Sequence, residues 1–352
     1  MKTKRNLIPI CLLCAAVLQA VTSGAQPVTK IAAGGGHSLF LKSDGSLWAM
    51  GYNYDGQLGD GTYNTTNLPE QIVASGVTAI AAGGFHSLLL KSDGSLWAMG
   101  NNYFGQLGDG TTDSGNYYTN LPEQIVASGV TAIAGGGFHS LLLKSDDSLW
   151  AMGDNEYGQL GDGTYNIINL PERIAASNVT AIAAGGDHNL FLKSDGSLWA
   201  MGDNEYGQLG DGTYNTTNQP EQIVASNVTA IAAGSDHSLF LKSDGSLWAM
   251  GYNQFGVLGD GTYNYSTNLP EQIVAGSPGY NQISIQLLSD GSVRLSFVGI
   301  AGANYALDRS FSLMPANWVP QMTNSAGSGG VLVFTNSPDP TVNNFWRIRS
   351  VP

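Results

Sequence analysis

A block of about 49 residues is written five times in this chain, nearly letter for letter. In its second copy it reads His86-Ser-Leu-Leu-Leu-Lys-Ser-Asp-Gly-Ser-Leu-Trp97-Ala-Met-Gly100, then Asn102, then Gly105-Gln-Leu-Gly-Asp-Gly110, then Leu121-Pro-Glu-Gln-Ile-Val126. The chain's five histidines, His37, His86, His139, His188 and His237, all occupy one position of the block, and so do Trp48, Trp97, Trp150, Trp199 and Trp248. A fixed period of this size means a solenoid, a propeller or an array. It also bears on function: a catalytic site is usually singular, whereas a unit copied five times more often builds a surface.

One unit resolves into strands. Val77–Ala82 is short, apolar and followed by glycine. His86–Lys91 is a second strand, and Ser92-Asp-Gly-Ser supplies the tight turn that a hairpin needs. Leu96–Met99 is a third. A Gly-rich loop spans 101–120, and Pro122–Val126 reads as an outer strand whose proline suits an edge. No stretch carries the 3.6-residue period of a helix. Four short strands per unit predict an all-β chain whose units are four-stranded propeller blades.

The His-x-x-x-Leu, Asp-Gly-x-x-x-x-x-Gly-x-Asn and Gly-Gln-Leu-Gly elements resemble the repeat of the regulator of chromosome condensation family, over roughly residues 28–276. The resemblance implies a β-propeller and structural histidines. Asp147 replaces the turn glycine in the third unit, and Val257 replaces the glutamine in the fifth. That family usually closes with seven blades, against five units here. Five blades close a narrower ring, or an incomplete ring is completed by other segments or another copy. Some secreted members cover the active sites of enzymes, so the resemblance includes an inhibitor. The founding member is a chromatin-bound exchange factor for a nuclear GTPase, an activity that the features below argue against here.

Residues 1–25 read as a bacterial export signal: Lys2, Lys4 and Arg5, an apolar run from Leu7 to Ala20, then Ser23-Gly24-Ala25. The expected location is secreted, periplasmic or cell-surface. Both cysteines, Cys11 and Cys14, fall inside this segment, so the processed chain has no disulfide or thiol chemistry. It keeps eleven Lys and Arg against 27 Asp and Glu, a net charge of −16. No basic run follows residue 5, which argues against nucleic acid as a partner. No later apolar run reaches the length of a membrane span.

After 26–276 the repeat stops. Residues 277–352 show short strands at 283–288, 292–298, 303–308, 330–334 and 345–349, the pattern of a small β-sandwich. Tyr305-Ala-Leu-Asp-Arg-Ser310, Asn317-Trp318, Phe334-Thr and Phe345-Trp-Arg347 resemble the fibronectin-type-III-like tails of secreted bacterial proteins. Trp318 and Trp346 are expected in its core.

Chemistry is sparse. One histidine per blade cannot converge on a metal away from the axis, so buried histidines bonded to neighbouring backbone are expected. Asp60, Asp109, Asp162, Asp211 and Asp260 sit singly in Gly-Asp-Gly turns, where turn formation outweighs calcium binding. No metal and no cofactor is expected. Glu156 and Glu205 occupy equivalent loops and are the one carboxylate pair that a glycosidase could use.

Differences between near-identical copies are informative. They cluster in two places. One is the loop after the Trp strand: Tyr52, Tyr54 and Asp55; Asn101, Tyr103 and Phe104; Asp154, Glu156 and Tyr157; Asp203, Glu205 and Tyr206; Tyr252, Gln254 and Phe255. The other is the residue before each histidine: Gly36, Phe85, Phe138, Asp187 and Asp236. Aromatic and acidic side chains dominate both, and aromatics are enriched in recognition hot spots. The expectation is an exported, non-enzymatic binding module that presents these loops to a protein or an extracellular glycan. The alternatives are a carbohydrate-active hydrolase and a structural cell-surface protein.

Overall fold

The computed structural model describes residues 26–112, 118–175, 177–276, 283–288, 292–298, 303–310, 319–325, 331–336 and 345–351. Every regular element among them is a strand. The first blade comprises β1 (Val28–Ala33), β2 (His37–Lys42), β3 (Leu47–Gly51) and β4 (Thr66–Val73). The second comprises β5 (Val77–Ala82), β6 (His86–Lys91), β7 (Leu96–Asn101) and β8 (Tyr118–Val126). The third follows as β9 (Val130–Gly135), β10 (His139–Lys144), β11 (Leu149–Gly153) and β12 (Ile168–Ala175). The fourth is β13 (Val179–Ala184), β14 (His188–Lys193), β15 (Leu198–Gly202) and β16 (Thr217–Val224). The fifth is β17 (Val228–Ala233), β18 (His237–Lys242), β19 (Leu247–Tyr252) and β20 (Ser266–Val274). Each blade is a four-stranded antiparallel meander in chain order.

The first strand of each blade lies innermost. Glycines and alanines from all five blades, including Gly34, Gly83, Gly136, Gly185 and Gly234, line the axial opening. They are small because successive inner turns nearly touch. A Cβ on Gly35 would stand 2.6 Å from the Gly84 carbonyl oxygen, and one on Gly84 the same distance from that of Gly137.

The core lies between blades. Leu39, Leu41 and Leu47 of the first blade pack against Val77, Leu89 and Met99 of the second. The same arrangement recurs at the next three junctions. Each fully buried Leu contributes roughly 1.5–3 kcal/mol.

The outer strand differs from expectation. In the second blade it begins at Tyr118, four residues before Pro122. The proline is accommodated inside it because the strand is an edge and its register shifts between Ala98 and Gly100. The Asp147 turn keeps the hairpin geometry of its glycine counterparts at φ 60°.

In the tail, β21 (Ile283–Leu287), β22 (Val293–Val298) and β25 (Val331–Asn336) form one sheet; β23 (Asn304–Ser310), β24 (Val319–Ser325) and β26 (Phe345–Val351) form a second. Leu295, Phe297, Leu332 and Phe334 of the first share a core with Tyr305 and Leu307 of the second. The strand at Val319–Ser325 is one the sequence reading did not list. Trp318 and the Trp346 side chain lie outside the described residues.

Candidate functional site

In every blade His pairs with Gly across the second and third strands, as His37 does with Gly51. This places the turn before the histidine and the loop after the Trp strand at one end of the sheet. A backbone hydrogen bond then joins the two variable positions. The Tyr52 amide donates to the Gly36 carbonyl, Asn101 to Phe85, Asp154 to Phe138, Asp203 to Asp187 and Tyr252 to Asp236, all at 2.8–3.0 Å. What varies between the copies is thus gathered on one rim.

That rim has two characters. Across the first three blades the rings are continuous. Tyr52 meets Tyr54 at 5.0 Å and Phe85 at 6.4 Å, Phe85 stacks on Phe138 at 5.4 Å, and Phe138 meets Phe104 at 5.2 Å. Tyr103 joins through Phe104 at 4.8 Å. A second cluster sits on the last two blades, where Tyr252 contacts Tyr206 at 5.1 Å, Phe255 at 5.9 Å and Tyr265 at 5.6 Å. Tyr265 was missed in sequence because it belongs to the outer-strand approach rather than to the Trp loop.

Between the two aromatic groups lies an acidic stretch. Burial raises the Asp187 carboxyl to about 6, reinforced by the charges of Asp154, Asp203, Asp236 and Glu156. Glu156, then burial, then Asp187, Asp203 and Glu205 raise the Tyr157 phenol. Tyr206 rises to about 12, through its hydrogen bond with Tyr265 and the charge of Glu205.

The candidate residues differ in access. Tyr54, Tyr103, Tyr157, Phe255, Glu156 and Glu205 are exposed, and Tyr52, Phe104, Tyr206 and Tyr252 half-buried. Asp55 is buried, its carboxyl raised by burial and partly compensated by the Asn101 amide at 3.2 Å. It is a link between two loops more than a contact surface.

Four of the five histidines, His37, His86, His139 and His188, are buried beneath this rim, and His237 is half-buried. The Nε2 atoms of His37, His86 and His188 pair with Ser87, Ser140 and Ser238 of the following blade, and that of His139 with Asn189, at 2.8–2.9 Å. The expected partner was backbone; the observed one is a side chain, which in turn donates to a loop carbonyl of the preceding blade, as Ser87 does to Gln57. Burial lowers His37 to about 4 and His86 and His188 to about 3. These imidazoles are neutral crosslinks between blades.

The Gly-Asp-Gly carboxylates are likewise occupied. Asp60 accepts from the Asn53 amide at 3.0 Å and from the Thr62 amide and hydroxyl at 2.8 Å. These bonds outweigh its partial burial and hold it below the usual carboxylate range. Asn53 Oδ1 accepts from the Leu58 amide, completing a bracket repeated in every blade. No cluster of three or more metal-ligating side chains occurs among the described residues.

The Trp residues are half-buried, and Trp97, Trp150, Trp199 and Trp248 pack against the cores between blades. Each indole N–H donates to a serine two residues earlier, as Trp97 does to Ser95 at 2.9 Å, and a lysine ammonium lies over the ring, as Lys91 does at 3.5 Å. These clusters lie toward the Asp-Gly hairpin end of each blade, away from the loop rim. No described helix is long and apolar enough to cross a membrane.

Comparison with known proteins agrees with this geometry. A solved structure of human WBSCR16 superposes with a TM-score of 0.64 at 27% identity, over 77% of this chain and 76% of that one. Yeast RCC1 (Prp20), solved bound to Kap60, gives a TM-score of 0.64 at 24% identity, over 74% of this chain and 63% of that one. Prp20p from Saccharomyces cerevisiae, in work describing its binding to Gsp1p and histones, gives 0.57 at 21% identity, covering 73% and 79%. The RCC1-like domain model matches residues 11–291. With that match spanning most of its length, the chain belongs to the RCC1-like domain family.

Proposed function

We propose that this protein is an exported binding module whose loop rim takes a protein partner bearing basic groups beside apolar ones. The observation that carries the reading is the rim's construction. One backbone hydrogen bond per blade brings both variable positions of the repeat together, and the result is a continuous aromatic run beside a carboxylate cluster. Nothing in the folding of a blade requires Phe85 to stack on Phe138 or acids to crowd Asp187. Aromatic and charged groups on a rigid scaffold are the usual makings of a recognition surface. Protein partners are also named for the yeast relatives. A glycan would use the rings but not the crowded carboxylates. An enzyme inhibited by the covering rim is one form such a partner could take.

Export rests on the Lys2–Ala25 signal pattern, and the tail's part is that of a fibronectin-like spacer or attachment module. The hydrolase alternative rests on Glu156 and Glu205, which are both exposed on neighbouring loops. The test is capture on the immobilised chain from envelope and secreted fractions, followed by stepwise salt elution. A retained protein released between about 0.1 and 0.5 M salt supports the reading. Retention of a neutral glycan alone, insensitive to salt, contradicts it. Hydrolysis of a glycan panel that is lost in the Glu156→Gln, Glu205→Gln chain would instead establish the enzyme.

A further inference from the structure

The loop after each Trp strand reaches across to the outer strand of the next blade. The Gly61 amide donates to the Asn120 carbonyl at 2.8 Å, and Gly110, Gly163 and Gly212 repeat the contact at the following junctions. Two residues after that glycine stands a tyrosine in four blades and Thr112 in the second. Where a blade follows, Tyr63 is 42% exposed, Tyr165 53% and Tyr214 51%. Tyr263 stands at the open end of the array, where a Cβ on Gly261 would meet nothing, and is 79% exposed. At each junction the loop tyrosine thus forms one wall of a cleft and the next blade the other.

The junctions are not alike. Two residues before the asparagine that each loop meets, the sequence has Tyr118 at the first junction and Ile167, Thr216 and Ser266 at the others. The first junction therefore pairs two tyrosines, Tyr63 and Tyr118, and the rest do not. Between them opens a cavity of about 440 Å³, lined further by Asp109, Thr111, Thr119, Asn120 and Glu123. That volume lies within the range of small-molecule sites. Its described lining holds hydroxyls, amides and two carboxylates, and no lysine, arginine or histidine, which disfavours an anion. Asp109 accepts from the Thr111 hydroxyl at 2.8 Å and Glu123 from the Thr119 hydroxyl at 3.2 Å. Each carboxylate keeps lone pairs for further hydroxyl donors.

We propose that this cleft binds a neutral saccharide, with the C–H side of a pyranose ring against Tyr63 and sugar hydroxyls on Glu123 and Asn120. A polyol matches the lining because every one of its hydroxyls both donates and accepts. The electron-rich face of a tyrosine attracts the polarised C–H groups of a sugar ring, and a carboxylate makes strong bonds to its hydroxyls. None of the rim's variable residues lines the cleft. The inference is therefore independent of what the loop rim binds.

The test is titration calorimetry of the full chain with neutral disaccharides covering gluco-, galacto-, manno- and xylo-configured sugars in α and β linkage, with cadaverine as a cationic control. At least one disaccharide should bind. Tyr63→Ala and Glu123→Gln should each weaken it by roughly tenfold or more, through loss of the ring contact and of the charged acceptor. Both residues are exposed, so the variants should unfold thermally like the parent. Tyr263→Ala removes the same residue of the same motif where no blade follows, and should bind like the parent, as should a chain carrying Phe85→Ala and Phe138→Ala on the rim. No binding by any disaccharide at about 10 mM, binding that Tyr63→Ala leaves unchanged, an equal loss in Tyr263→Ala, or binding of cadaverine in place of every saccharide would overturn the proposal.

Discussion

Asp147 holds φ at 60° where four other blades place glycine, and Asn178 and Asn227 do the same at φ 67° and 69° where Gly76 and Gly129 stand. A left-handed conformation costs a residue with a Cβ about 1 kcal/mol or more, least for Asp and Asn. Asp147→Gly is therefore expected to stabilise the third blade by about 1 kcal/mol, read as a rise in the denaturant midpoint at constant slope. The loop bracket sets the opposite expectation. Asn204 is fully buried, donating to Asp211 and to Thr213 and accepting from the Leu209 amide. Asn204→Ala strands those partners and should cost about 2–3 kcal/mol in the same measurement. The Gly, Asp and Asn positions were legible as turn residues from their recurrence alone. The bracket was not, because Asn53 and Asp60 meet only once the loop has folded back over seven residues.

At the scale of the strand, alternation and Asp-Gly turns located the inner three strands of each blade nearly to the residue. The fourth was cut short at its proline, since a sequence-level rule treats proline as a strand boundary and a bulged edge relaxes that rule. The partners of the histidines were invisible for another reason: they lie one repeat, about fifty residues, ahead. Those crosslinks carry a pH dependence. The buried histidines titrate well below their unfolded value of about 6.5, with His86 and His188 at about 3. At neutral pH both states are unprotonated and nothing is lost. As pH falls below about 6.5, the unfolded chain takes up protons that the native chain refuses. Stability should then fall by up to about 1.4 kcal/mol per pH unit for each such histidine. Asp187, held up near 6, acts with the opposite sign, since its protonation relieves native repulsion. Unfolding free energies measured from about pH 7 to pH 4 should decline, and the His188→Gln variant, whose amide extends about as far from the backbone as the Nε2 that meets Ser238, should decline less steeply. An equal slope in both proteins would mean that the histidines do not set the acid limit.

For the whole molecule, five near-copies made the architecture plain in the sequence, as did the existence of two variable positions per unit. Their convergence on one rim was not legible. It depends on the pairing of the strand that begins at each histidine with the strand before each loop, as in His86 with Gly100. The open ends were equally hidden, since Ile31 and Ile80 are the same residue in the same motif and differ only in whether a blade stands in front. The acidic stretch gives the rim a measurable signature. A cationic partner favours ionised Asp187, so affinity should drop by roughly tenfold between about pH 7 and pH 5 as that carboxyl protonates. A pH-independent affinity would place the partner elsewhere. The most direct measurement is the affinity of the captured partner for three chains, by calorimetry or surface resonance. These are the parent, a rim variant carrying Phe85→Ala, Phe138→Ala and Asp187→Asn, and an outer-edge variant carrying Leu68→Ser and Leu170→Ser. We expect the rim variant to lose roughly a hundredfold, as befits two central aromatic contacts and a paired charge, and the outer-edge variant to bind like the parent. A rim variant that binds undiminished while the outer-edge variant fails would show that the loops are architecture and that the partner grips the blade edges.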